Sequence, residues 1–147
     1  MKKSAIVASI LVVLIIGLCF LIGDYRDISE HKEMVSEYVL SGMEQIEKCI
    51  SDGNYDNLPQ GIEISRIENL SKDEALFFAC GAVGIGPDGL YFGFYYSPKS
   101  VPVNTTASFG YGLKKDGNGY GWKQKDGNMR YYTEQIAPKF FWYEYAT

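Results

Sequence analysis

The sequence predicts an α+β protein: an N-terminal transmembrane helix, then one amphipathic helix packed on a mainly antiparallel sheet of about five or six strands. Three observations carry that prediction. An uncharged apolar run fills Ala5 to Gly23, apolar residues recur at helical spacing between Val35 and Ile50, and from Tyr55 onward short aromatic runs alternate with glycine, proline, asparagine and aspartate.

The N-terminal run follows Met1-Lys2-Lys3 and precedes Asp24-Tyr25-Arg26-Asp27. Its 19 residues reach roughly 28 Å as a helix, close to the hydrocarbon thickness of a bilayer. A cleaved signal peptide is the alternative, and it needs small residues one and three places before the cut. Before Asp24 those places hold Gly23 and Leu21, and Cys19, preceded by Leu18, does not suit lipoprotein processing. The run therefore reads as a retained signal-anchor. Lys2 and Lys3 favour the cytoplasmic side, which divides the chain into a tail (1–4), an anchor (5–23) and an extracytoplasmic domain (24–147). Secretion after cleavage is the other localisation this segment allows.

The 124 residues of that domain suit one core. Charge separates two parts of it. Residues 24–58 hold nine acids against Arg26, Lys32 and Lys48, whereas residues 59–147 balance nine against nine. The acidic part reads as a helix over about 28–51, with Val35, Tyr38, Val39, Gly42, Met43, Ile46, Cys49 and Ile50 on one face and Asp52-Gly53-Asn54 closing it. Its acids are a solvated outer face.

Residues 62–147 read as β-rich. Ile62 and Ile64 alternate with Glu63 and Ser65 as a first strand, whereas Ser71 to Gly81 has two readings: Ser71-Lys72-Asp73-Glu74 looks like the capping box of a helix, and Ala75 to Cys80 suits a buried strand, the preferred of the two. Leu90 to Tyr96 places Leu90, Phe92, Phe94 and Tyr96 on a core side. Gly110 to Asn118 and Gly119 to Asn128 nearly repeat each other, each as strand plus turn, leading into a strand at Met129 to Thr133. Phe140 to Tyr145 closes the domain with aromatics on both faces.

Chemistry-bearing motifs are few. The single histidine, His31, lies in the first turn of the acidic helix and reads as an exposed helix residue; neither a histidine-based triad nor a multi-histidine zinc site can be assembled around it. The glycine-rich stretch Cys80 to Gly89 lacks the Gly-Lys-Ser/Thr of a phosphate loop. Asp116 to Gly121 begins like a calcium loop, but Tyr120 occupies a ligand place and Gly127 stands where a bidentate glutamate is required. No cofactor, metal or nucleic acid is expected. Glu63, Glu68, Asp73, Glu74, Glu134 and Glu144 could serve carboxylate hydrolysis only if the fold paired two of them. Cys49 and Cys80 are the candidate disulfide in an oxidising exterior, with two buried free thiols as the other reading.

The candidate ligand-binding residues lie in the repeat: Tyr111, Lys114, Lys115, Tyr120, Trp122, Lys123, Lys125, Arg130 and Tyr131. Aromatic faces stack on sugars, and the interleaved cations attract anions. Gly121-Trp122-Lys123-Gln124-Lys125-Asp126-Gly127-Asn128-Met129-Arg130-Tyr131-Tyr132 resembles the Gly-Trp and Tyr-Tyr repeat of bacterial choline-type cell-wall-binding modules, with one extra residue before the tyrosine pair and Leu113 in place of tryptophan in the preceding copy. Such modules build their ligand site between neighbouring repeats. Gly86 to Pro98, Tyr131 to Glu134 and Phe141 to Tyr145 are also similar to short bacterial single-pass membrane-anchored proteins of unassigned function. Three functions follow as expectations: a non-catalytic, membrane-anchored protein that binds a protein partner; a module for an envelope polymer or carbohydrate, using residues 110–132; and, last, a carboxylate-dependent hydrolase.

Overall fold

A computed structural model describes residues 28–70, 75–84, 89–104 and 112–147. The expected tail and anchor, residues 1–23, lie outside them. Helix α1 occupies residues 28–52. Val35, Val39 and Ile46 on its apolar face are fully buried, so the three-and-four spacing faces the sheet. The helix ends in a Schellman arrangement: Gly53 takes a φ of 63°, its N–H reaches the Ile50 carbonyl (3.3 Å), and the Asn54 N–H reaches that of Cys49 (3.1 Å). The chain then turns back along the helix. Gly42 leaves room for this, because a Cβ there would lie 2.6 Å from Pro59 Cγ. Tyr38 Oη donates to the Pro59 carbonyl at 2.9 Å and holds the return segment in place.

Seven strands follow: β1 (Arg66–Leu70), β2 (Ala75–Val83), β3 (Leu90–Tyr96), β4 (Lys114–Asp116), β5 (Gly119–Lys123), β6 (Arg130–Ala137) and β7 (Phe140–Ala146). They form one antiparallel sheet in the order β1-β2-β3-β7-β6-β5-β4. This corrects the expected architecture: the sheet has seven strands rather than five or six, and no helix among the described residues is long and apolar enough to cross a membrane. The first strand also lies later than Ile62 to Ser65. Ile62 and Ile64 pack on the core from irregular chain, and regular pairing starts where Arg66 meets Ala79. Each copy of the repeat contributes a strand of its own, the first only three residues long.

After β3 the chain passes to the far edge and returns as the meander β4-β5-β6-β7, so β3 and β7 meet at the centre. Their aromatics fill both sheet faces. On the helix side, Phe78 and Phe94 stack at 4.5 Å and 7° among Leu76, Phe92, Phe140 and Trp142. On the helix-distal side, Phe77, Tyr95, Trp122, Tyr131, Phe141 and Tyr143 form a second core with Val103. Residues 97–104 thus cover part of a face that no described helix covers. Ion pairs from Lys32 to Glu134 (2.6 Å) and from Lys139 to Glu47 (3.3 Å) tie α1 to the meander.

Candidate functional site

The cover on the helix-distal face is partial. Towards β1 the same face opens into a groove of about 670 Å³ across β1, β2, β3 and β7, within the range that small ligands and anchor side chains occupy. Its floor is made of small residues, Ala79, Gly81 and Ala82, and Phe77, Tyr91, Tyr143 and Tyr145 form its walls. The neighbouring Gly93 has to be glycine, since a Cβ there would run into the Phe78 carbonyl and lie 3.1 Å from the Tyr143 ring. Tyr91 pairs with Tyr145 across β3 and β7, and it is 47% exposed, whereas Tyr143 is buried. Burial, first of all, raises the Tyr143 phenol well above its ordinary value; the nearby Glu68 carboxylate adds to this and Arg66 opposes it. At the rim Arg66 and Glu68 pair with each other at 3.1 Å. The groove is therefore aromatic and close to neutral.

Strand alternation hides this site in the sequence. With Leu90, Phe92, Phe94 and Tyr96 on the core side of β3, alternation sends Tyr91, Gly93 and Tyr95 to the other side, where solvent is expected, yet Tyr95 is fully buried there. The available signal was that strands with aromatics on both faces accompany one amphipathic helix, which can cover only one face.

The structure brings most of the candidate residues of the repeat together. Lys114, Lys115, Lys123 and Arg130 line a hollow of about 380 Å³ together with Trp122, Tyr131, Tyr132, Asp116 and Glu144. Trp122 and Tyr131 also belong to the helix-distal core, 8% and 1% exposed. Trp122 Nε1 donates to Asn104 Oδ1 (3.0 Å) and Tyr131 Oη to the Val103 carbonyl (2.8 Å). Tyr120 is exposed, with Lys115 Nζ 4.8 Å from its ring centre. Lys125 is exposed in the turn after β5, and Tyr111 lies outside the described residues. Cys49 and Cys80 are both free thiols. Burial pushes Cys80 up to about 12, so it stays protonated and a poor nucleophile at neutral pH. His31 is half-buried and stacked on Phe92 at 4.5 Å, where an exposed residue was expected; β3 brings a ring beneath the first helical turn.

A third concavity, about 400 Å³, lies where the first turn of α1 meets β6 and β7. It gathers Lys32, Arg130, Tyr132, Glu134, Trp142 and Glu144. The two carboxyls are diagonal neighbours on adjacent strands, since Tyr132 pairs with Glu144 and Glu134 with Trp142. They are tuned in opposite directions. Burial pulls Glu134 upward, but hydrogen bonds from Lys32 and Tyr132 and the Lys32 charge outweigh it and hold the acid below its ordinary value. Burial raises Glu144, and Arg130, the Trp142 N–H and Lys32 only partly offset it.

The stability consequences have opposite signs. Glu134 contributes above its unfolded pKa, and that contribution is lost as pH falls through the lowered folded value. Glu144 does the reverse: stability declines as pH rises from its unfolded value through the raised folded one. Chemical denaturation at neutral pH should therefore show Glu134→Gln destabilised and Glu144→Gln stabilised relative to the parent chain. Both differences should shrink in acid, where both carboxyls are protonated in either state.

Among the described residues no group of His, Cys, Asp and Glu is arranged to hold a metal ion. No protein-family model matches the chain, and neither does any curated protein or solved structure.

Proposed function

We propose that the chain acts outside the cytoplasm as a non-catalytic protein that binds a protein partner in the aromatic groove on the helix-distal face. The observation that carries this reading is the groove itself. On a face partly covered by residues 97–104, an opening of about 670 Å³ leads from the β1 edge to Tyr91, Tyr143 and Tyr145 over a floor of small residues. Tyrosine and arginine are the side chains that dominate protein interfaces, and small floor residues admit a partner's side chain. Arg66 and Glu68 satisfy each other, so the contact surface is close to neutral and its affinity comes from aromatic burial. The uncharged run Ala5 to Gly23 behind Lys2 and Lys3 supports export, with the domain held at the membrane or released from it.

The test is co-purification of full-length bait from detergent-solubilised envelopes, comparing the parent chain with Tyr91→Ala/Tyr145→Ala. Tyr91 is half exposed and Tyr145 lies at the border of the helix-distal core, so the double variant should stay folded with a modestly lower denaturation midpoint while losing a stoichiometric partner by tenfold or more in affinity, roughly 1.4 kcal/mol. Equal recovery with both baits, or no stoichiometric partner with either, rejects the groove. Retention on envelope polymer that disappears on reversing Lys114, Lys115 and Lys123 rejects it too, and assigns binding to the basic hollow.

A further inference from the structure

The concavity beneath the first turn of α1 is separate from the groove, on the opposite face of the sheet, and its polar groups hold unused bonding capacity. Lys32 Nζ and Tyr132 Oη both donate to the same oxygen of Glu134, Oε2, each at 2.6 Å. Glu134 Oε1 accepts no hydrogen bond among the described residues. Trp142 is fully buried, and its Nε1–H is directed at the Glu144 carboxyl two residues along β7, favouring its ionised form, without reaching good hydrogen-bond geometry. Arg130 acts on Glu144 through its charge and makes no hydrogen bond or ion pair among the described residues. Acceptors and donors with spare valence thus line one space of about 400 Å³, bounded on one side by the Tyr132 ring where it lies over Gly119.

Charge selects the ligand. Lys32 and Arg130 balance Glu134 and Glu144. An anionic ligand would meet Glu134, which its hydrogen bonds keep ionised, and a cationic one would meet Lys32 and Arg130. A hydroxyl group meets neither objection, because it donates to a carboxylate and accepts from a guanidinium at once. The volume lies within the range of small-molecule sites. We infer that this cleft binds a neutral polyhydroxylated ligand of the size of a sugar unit. Its hydroxyls donate to Glu134 Oε1 and Glu144 and accept from Arg130, with the ring's apolar face against Tyr132.

The chain has two tryptophans, so two indole N–H resonances report on it, and Trp122, in the helix-distal core with its N–H bonded to Asn104, is not among the residues that line the cleft and serves as the internal reference. Full-length protein in a detergent without a sugar headgroup would be titrated with glucose, N-acetylglucosamine, acetate and ethylamine at matched ionic strength. A saturable shift of the Trp142 resonance with a sugar is expected, with Trp122 unmoved and neither charged probe saturating. Arg130→Ala, at an exposed position, and Glu134→Gln should each weaken the sugar about tenfold, the loss of one charge-assisted hydrogen bond. The inference is overturned if neither sugar shifts Trp142, if acetate or ethylamine saturates it equally, or if both variants bind the sugar as the parent does.

Discussion

Phe94→Ala is expected to lower the stability of the domain by about 3–5 kcal/mol, measured as a shift of the urea midpoint at neutral pH. Phe94 is fully buried at the centre of the sheet. It stacks on Phe78 at 4.5 Å and lies 6.0 Å, ring to ring, from Tyr38 of the helix, so the one side chain joins β2, β3 and α1. Its cross-strand neighbours, Phe78 on β2 and Trp142 on β7, are rigid rings that cannot collapse into the space left behind. Domains of this size are stable by only about 5–15 kcal/mol, so the loss is a large fraction of the total. Phe94→Leu retains much of the buried volume and should lose less than half as much. A midpoint for Phe94→Ala within about 1 kcal/mol of the parent would show that the helix is not held by this contact.

The sequence disclosed the parts of the fold that follow local rules. Helix α1 was readable because its apolar residues repeat every three or four places and because Gly53 stands where a left-handed residue closes a helix. Strand β3 was readable as a period-two aromatic run bounded by turn residues. The number of strands was not, since the three residues of β4 exist only through pairing with β5, and β1 starts where β2 supplies a partner rather than where isoleucines alternate.

The helix-distal core and its groove were hidden for a topological reason. Strands β3 and β7 become neighbours through a pairing between residues some fifty positions apart, such as Gly93 with Tyr143, and that pairing sets Tyr91 beside Tyr145. The pair Glu134 and Glu144 was hidden in the same way. In sequence they resembled the other acids; the register of β6 with β7 places them in one cleft, and Lys32 from the helix, 102 residues away, tunes one of them. In the repeat, Lys123 and Arg130 alternate with Trp122 and Tyr131 along β5 and β6, so strand geometry sends those two rings to the helix-distal core, while Lys115 stays beside the Tyr120 ring.

Tyr95→Phe tests how that helix-distal core is held. The Val103 N–H donates to Tyr95 Oη (3.0 Å), Tyr95 donates to Thr133 Oγ1 (2.8 Å), and Thr133 donates to the Trp142 carbonyl (2.7 Å). Because Thr133 spends its proton on Trp142, the direction of the whole chain is fixed. Tyr95 and Thr133 are fully buried and Val103 nearly so. Removing one oxygen therefore leaves the Val103 amide without an acceptor, a loss of about 1–3 kcal/mol, larger than the net value of an average hydrogen bond. Tyr131→Phe deletes only a donor to the Val103 carbonyl (2.8 Å) and should lie at the lower end of that range. Location distinguishes this effect from that of Phe94→Ala. Tyr95→Phe should speed amide exchange first at Val103 and its neighbours, because residues 97–104 lose their latch while α1 and the helix-side core stay packed. Uniform loss of protection across α1 and residues 97–104 would mean that the two faces of the sheet unfold as one unit and that the buried relay is not a separate clasp.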